Sequence, residues 1–380
     1  MNSVKYSYEQ LQRYCSDAFF RFGFTREEAN QITDVLLLAD LYGVTSHGTQ
    51  RLARYHRAIE KGSIRIDAKP EIVFETPVSA VIDGHSGMGQ LISTYAMKLA
   101  IEKAGKVGMA FVTVRNSNHY GIAGYYAKMA CDEGMIGISS TNSQSIMVHT
   151  NSKEAILGSN PIAFAMPAEP YPFWFDAATT VVPRGKLEVY NKEGKDLNEG
   201  WSIDETGASC TDAKHVLDCI DGGVAGGILP VGGQAEETGS HKGYGYSMIC
   251  EILSAIMSGG ATSNHHVRAK GQGAGTCHSF IVIDPAVFGD AEEIKAHLSV
   301  FLQELRDAKR ANEEIPIYTH GEKEILSCEA RLRDGIDVDI STVSEMINVC
   351  RYLGMESTLY LGEVDVSDAK TGTYEKAYNG

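Results

Sequence analysis

No Gly-x-Gly-x-x-Gly turn occurs anywhere in these 380 residues. No other feature limits the possible folds as sharply. A dinucleotide held on a Rossmann sheet rests its pyrophosphate on such a turn, where glycine backbone approaches the phosphates and opens a helix. The nearest run, Gly271-Gln272-Gly273-Ala274-Gly275, continues with Thr276 and lacks a strand–turn–helix setting. A P-loop, HExxH and GxSxG are also missing. Any nicotinamide cofactor is therefore bound without the usual fingerprint.

The chain opens with helices. Ser7-Tyr8-Glu9-Gln10 and Thr25-Arg26-Glu27-Glu28 each match a capping box. Gly23 and Gly43 sit where helix stops belong. A third helix is expected over about 50–61, ending at Gly62. Apolar periodicity predicts strands over 71–75, 79–82, 109–114, 135–140, 162–166, 173–175 and 278–283, and helices over 89–103, 122–132, 244–257, 292–309 and 322–333. Residues 190–213 read as polar turns and 315–318 as extended. The tail beyond Glu363 turns polar, which predicts a mobile extension.

Composition excludes several function classes. A formal net charge of −15 argues against a nucleic-acid partner. The eight cysteines are scattered and form no CxxC pair, so reduced thiols and no zinc ribbon are expected. The first residues lack an apolar signal core, and no stretch approaches the roughly 20 apolar residues that span a bilayer. The expectation is a cytoplasmic chain that binds neither membrane nor nucleic acid.

The chemistry concentrates at Ser46-His47-Gly48-Thr49-Gln50-Arg51. In a helix His47 and Arg51 would share one face. A guanidinium grips a carboxylate with paired hydrogen bonds, and an imidazole exchanges a hydroxyl or carbonyl proton. These are the groups a 2-hydroxy acid requires. Ser46 either hydrogen-bonds the substrate or caps the helix, and a plain N-cap beside a solvated Arg51 accounts for the same spacing. Asn116-Ser117-Asn118-His119 follows a predicted strand, where His119 either assists proton transfer, orients a nicotinamide carboxamide, or is a loop histidine. Asn142, Gly158-Ser159-Asn160-Pro161 and Asp176-Ala177-Ala178-Thr179-Thr180 end successive strands, through turn chemistry or close approach to a ligand. His241-Lys242-Gly243 opens a helix and suits a phosphate, as Gly321-Glu322-Lys323 does more weakly. A metal-dependent hydrolase built on His47, His119, His241 or His278 lacks any compact ligand motif, so no metal is expected in the reaction. A non-catalytic cofactor-binding module is the third class.

Ala39-Asp40-Leu41-Tyr42-Gly43-Val44-Thr45-Ser46-His47-Gly48-Thr49-Gln50-Arg51-Leu52 resembles the signature of the type-2 malate/L-lactate dehydrogenase family. That family is known to include ureidoglycolate, sulfolactate and diketogulonate enzymes and a cyclic imino-acid reductase. Ordered matches at 116–121, 158–161, 176–186, 200–204, 229–233, 241–245 and 321–323 extend the resemblance over about 8–354. The resemblance implies an α/β fold whose non-Rossmann cofactor domain, 73–309, has a large mixed, mostly antiparallel sheet. A helical substrate and dimerisation domain would join 1–72 with 310–380. It implies a homodimer using NAD, or NADP, on an L-2-hydroxy acid, L-malate first. His47 would be the acid/base, Arg51 the carboxylate ligand and His119 the neighbour of the nicotinamide. Asn142, Asp176, Ala178, Thr180, His241, Lys242, Gly321, Glu322 and Lys323 would hold the cofactor. Pro183, Thr180 and Asn142-Ser143-Gln144-Ser145 depart from the commoner family residues.

Overall fold

The computed structural model describes residues 3–266 and 273–369, so Gly271 and Gln272 of the glycine-rich run lie outside it. Both predicted capping boxes form. Ser7 and Thr25 each accept the backbone N–H three residues on, and the Gln10 and Glu28 side chains answer the cap amides, starting helices Tyr8–Arg21 and Arg26–Leu41. Gly23 and Gly43 follow these helices at φ +110° and +83°, a region that costs other residues strain.

The sheet has seven strands in the order Glu71–Thr76, Ser79–Asp83, Met109–Ser117, Thr276–Ile283, Ile136–Thr141, Ile162–Met166 and Phe173–Ala177. Ser79–Asp83 pairs parallel with Met109–Ser117, and every other neighbour is antiparallel. This is the mixed, mostly antiparallel sheet that the resemblance implied. Helices Gly89–Val107 and Ala123–Asp132 pack on it. Both long central strands end beside the same loop, because Thr276–Ile283 runs against Met109–Ser117 and Ile136–Thr141 together.

The chain ends meet. Ser3–Tyr6 pairs antiparallel with Ile336–Asp339, and helix Tyr8–Arg21 packs against Ile340–Leu353. One apolar cluster runs from Leu11 and Leu36 through Ile82 and Phe280 to Val343. A smaller cluster around Leu187, Val216 and Ile220 sits beside a four-stranded sheet.

Two expectations are corrected. The turn-rich stretch 190–213 is bordered by two unforeseen helices, Arg184–Glu193 and Ala213–Gly222, each stopped by a glycine at φ +65°. In the second, Ala213, Val216, Leu217 and Ile220 recur at helical spacing, a signal that sequence reasoning passed over, and this face packs with Ile146 and Ile228. Of the tail, Val364, Val366 and Ala369 pack on the main core, so its first residues are held by apolar contact.

Candidate active site

The turn that carries His47 is two short 3-10 turns, Thr45–His47 and Thr49–Arg51, broken at Gly48. The expected helix begins only at Leu52 and runs Leu52–Glu60. Buried Asp40 fastens the turn by accepting the Thr49 N–H at 2.8 Å. Arg331 donates to the Asp40 carbonyl from the C-terminal part of the chain. Ser46 caps nothing. Its hydroxyl lies 2.9 Å from Nδ1 of His47, so it orients the imidazole instead.

His119 follows strand Met109–Ser117 and stacks on His47, with 5.4 Å between ring centroids and 25° between planes. Its Nδ1 lies 2.6 Å from the Tyr55 hydroxyl and receives the Gly121 N–H at 3.4 Å. An amide N–H only donates, so Nδ1 of His119 accepts, and the neutral ring carries its proton on Nε2. The Asn118 amide, beside it, donates to the carbonyls of Ser63, Ser86 and Gly87 and holds the loop.

Both imidazoles face a cleft of about 520 Å³, with Arg54, Tyr55, Thr141 and Ser159 among its walls. Desolvation, with Arg51 and Arg54 adding repulsion, pushes His47 down to about 3. His119 is driven well below the ordinary histidine value by desolvation and then by Arg54. Both rings are thus neutral at pH 7, and a neutral imidazole is the form that takes up a proton.

Arg51 does not border this cleft. Its Nε donates to the Ser46 carbonyl at 2.5 Å, and its guanidinium lies 4.0 Å from Glu188. Arg54, which sequence reasoning passed over, does border it. The available signal was its position three residues after Arg51, on the same side of the helix entry. Tyr55 was missed likewise, and so was buried Glu251. The Glu251 carboxylate accepts from the amides of Asn142 and Asn160 and from Ser263, which shapes the cleft floor.

Asn142 lines the cleft, but its side chain is spent on Glu251, the Ala261 carbonyl and the Cys277 N–H. Asp176, Ala178 and Thr180 stand behind the cleft wall. Asp176 accepts the Gly124 N–H at 2.7 Å, and burial raises it to about 6. Thr180 donates to the Val182 carbonyl. Thr179 links this strand end to the cleft, since its N–H and hydroxyl both reach the Ser159 carbonyl at 2.9 Å. Gly321 packs on Trp174, where a Cβ would approach to 2.8 Å, and Glu322 accepts from Thr319 at its own helix start. The Lys323 ammonium lies over Tyr318, and exposed His241 and Lys242 begin helix Ser240–Glu251. None of these residues borders the cleft.

Among the described residues, one trio of His, Cys and carboxylate donors lies close enough to share a metal ion: Glu205, His215 and Cys219. It includes none of the four histidines considered for a hydrolase.

The family model for malate/L-lactate dehydrogenases matches residues 6–347. The chain belongs to the malate/L-lactate dehydrogenase family. It is 42% identical over 355 residues to a malate dehydrogenase of Pyrococcus horikoshii, covering 93% of this chain and 97% of the relative. It is 37% identical to an L-sulfolactate dehydrogenase of Methanocaldococcus jannaschii, over 93% of this chain and 98% of the relative. The crystal structure of a malate dehydrogenase from Entamoeba histolytica superposes with a TM-score of 0.90 at 36% identity, covering 93% and 99% of the two chains. As a family member the chain is a hydroxyacid dehydrogenase, and the family implies a nicotinamide cofactor. Among the described residues, no helix is long and apolar enough to cross a membrane.

Proposed function

We propose that this chain oxidises L-malate, or reduces the matching 2-keto acid, with NAD as the first-choice cofactor and NADP as the alternative. The observation that carries this reading is the stacked pair His47 and His119 facing one cleft beside guanidinium groups. The cleft wall suits a flat ring and a ribose. Thr141, Ser143 and Ser159 are small and polar, and Gly158 packs so closely that a Cβ would stand 2.3 Å from the Ser143 hydroxyl. Asp176, Ala178, Thr180, His241, Lys242, Gly321, Glu322 and Lys323 remain candidates for the cofactor's outer parts, and Thr179 ties their nearest strand to that wall.

A bound nicotinamide supplies the hydride acceptor. The remaining chemistry belongs to side chains. When Nδ1–H of His47 donates to Ser46 Oγ, Nε2 is bare and takes the substrate hydroxyl proton. His119 keeps its Nε2–H as a donor toward the developing carbonyl oxygen, where a fixed dipole stabilises charge. Arg51 is the proposed ligand for the C1 carboxylate, which it would take by turning its guanidinium from Glu188 toward the cleft while Nε stays on the Ser46 carbonyl beside His47.

The proposed protein is a cytoplasmic homodimer. Residues 1–72 and 310–380 would form its substrate part and 73–309 its cofactor part, a division supported by the pairing of Ser3–Tyr6 with Ile336–Asp339. Dimerisation is supported by an exposed apolar stripe, Tyr246, Ile249, Ile252 and Ile256, at helical spacing. A monomeric mass by light scattering would remove that part.

L-Sulfolactate is the second reading, since it also carries a second anion and the M. jannaschii relative bears that name. A panel of 2-hydroxy and 2-keto acids with both cofactors, followed by nicotinamide absorbance, tests the function. Malate turnover with NAD is expected. Inactivity on every acid, with activity on a cyclic imino acid, would overturn it.

A further inference from the structure

We infer that Arg54 docks a second acid group of the substrate, so that the cleft selects dianionic 2-hydroxy acids over monoanionic ones. The inference rests on the proposed hydride-transfer reading of the same cleft.

Arg54 borders the cleft and is open to it. None of its N–H groups has a hydrogen-bond or carboxylate partner among the described residues. Asn118 and Asn142, which also line the cleft, are used up internally. An exposed guanidinium whose five donors are unpaired is free to meet the acceptors of a ligand in the cleft. Burial and the neighbouring Arg51 bring Arg54 down to about 10, which leaves it cationic at neutral pH.

Its placement separates it from Arg51. Of the two, Arg51 acts more strongly on His47. Arg54 outranks every other charge acting on His119. Arg54 borders the cleft that both imidazoles face, whereas Arg51 is held on the Ser46 carbonyl and does not border it. Arg51 already has the Ser46 carbonyl and Glu188 at 4.0 Å, whereas the Arg54 guanidinium makes no hydrogen bond or ion pair among the described residues. A monocarboxylate held by Arg51 would leave the Arg54 donors unmatched at the cleft wall. A second carboxylate or sulfonate supplies acceptors for charge-assisted hydrogen bonds there. Lys61 also borders the cleft, at the far end of the helix, but is not among the charges acting on either imidazole.

The test compares L-malate with L-lactate in the full-length enzyme, its Arg54→Gln and Arg54→Lys variants, and Lys61→Gln. Steady-state kinetics with cofactor give the malate-to-lactate ratio of kcat/KM. Calorimetric binding of succinate and of propionate gives a readout that needs no turnover. Arg54→Gln is expected to lower the malate-to-lactate ratio about 10- to 100-fold, mostly through KM, and to weaken succinate binding by a similar factor. Arg54→Lys restores part of the loss, because it keeps the charge without the planar fork. An equal fall for malate and lactate, no change in succinate binding, or a ratio that drops with Lys61→Gln instead would overturn the inference. Loss of succinate binding in an enzyme that oxidises no hydroxy acid would support Arg54 while sinking the reaction.

Discussion

The carboxylate of Asp40 occupies the space that a side chain on Gly48 would need: a Cβ built on Gly48 lies 1.8 Å from Oδ1 of Asp40. Gly48 separates the two 3-10 turns, so this contact fixes how His47 is presented to the cleft.

Gly48→Ala therefore forces Asp40 or the turn to move. Overpacking of this kind costs about 1–3 kcal/mol. Displacing His47 is expected to lower kcat at least about 100-fold while the far-ultraviolet spectrum stays native. Thermal unfolding and steady-state rates check both parts. Parental kcat in this variant would show that the contact does not position His47.

Asp40 also makes stability depend on pH. Burial raises its carboxyl from 3.8 to about 7, against a smaller opposing pull from the Thr49 N–H. The folded chain thus holds this proton more tightly than the unfolded one does. Its stabilising contribution is complete below about pH 4 and is lost as pH rises through about 7, an effect on the order of 2–4 kcal/mol. Denaturant midpoints at pH 5 and pH 8 should diverge less in Asp40→Asn than in the parent. Equal divergence would remove Asp40 as the source.

His47→Ala is expected to cut turnover by about 10²–10⁴ while cofactor fluorescence titrations stay unchanged. Because His47 is depressed to about 3 by desolvation, Arg51 and Arg54, the acid limb of kcat/KM for oxidation should fall well below the ordinary histidine range. Nearby cations disfavour imidazolium, so neutralising Arg51 should move that limb upward, whatever happens to the amplitude. A parental limb near 6.5, unmoved in Arg51→Gln, would contradict the assignment.

The Tyr55 hydroxyl approaches Nδ1 of His119 at 2.6 Å and helps hold that ring's orientation. Tyr55→Phe is expected to lower kcat roughly tenfold and stability by about 1 kcal/mol. Unchanged kcat with a lowered melting temperature would restrict Tyr55 to a structural part.

Much of the framework was legible because its signals are local. Capping residues three apart, alternating apolar positions and glycines behind helices each act within one or two turns of chain. His47 and His119, singled out in a charged turn and after a strand, both face the cleft. Ser46 was misjudged as a possible cap because hydroxyl partners look alike in one dimension. Only folding showed that its partner is the imidazole next to it. Helix Ala213–Gly222 was legible too but passed over, since Ala213, Val216, Leu217 and Ile220 keep helical spacing behind the Asp212 cap.

The sequence by itself determined where many of the helices and strands lie, that no glycine-rich phosphate turn is present, and which residue types could move a proton. The tertiary structure decided which of them meet. It stacked His47 on a histidine 72 positions away, turned Arg51 onto a backbone carbonyl and left Arg54 open to the cleft. Hydrogen-bond caps and side-chain periodicity are set by near neighbours, whereas a cleft is built from segments far apart in the chain, and its partners follow from packing.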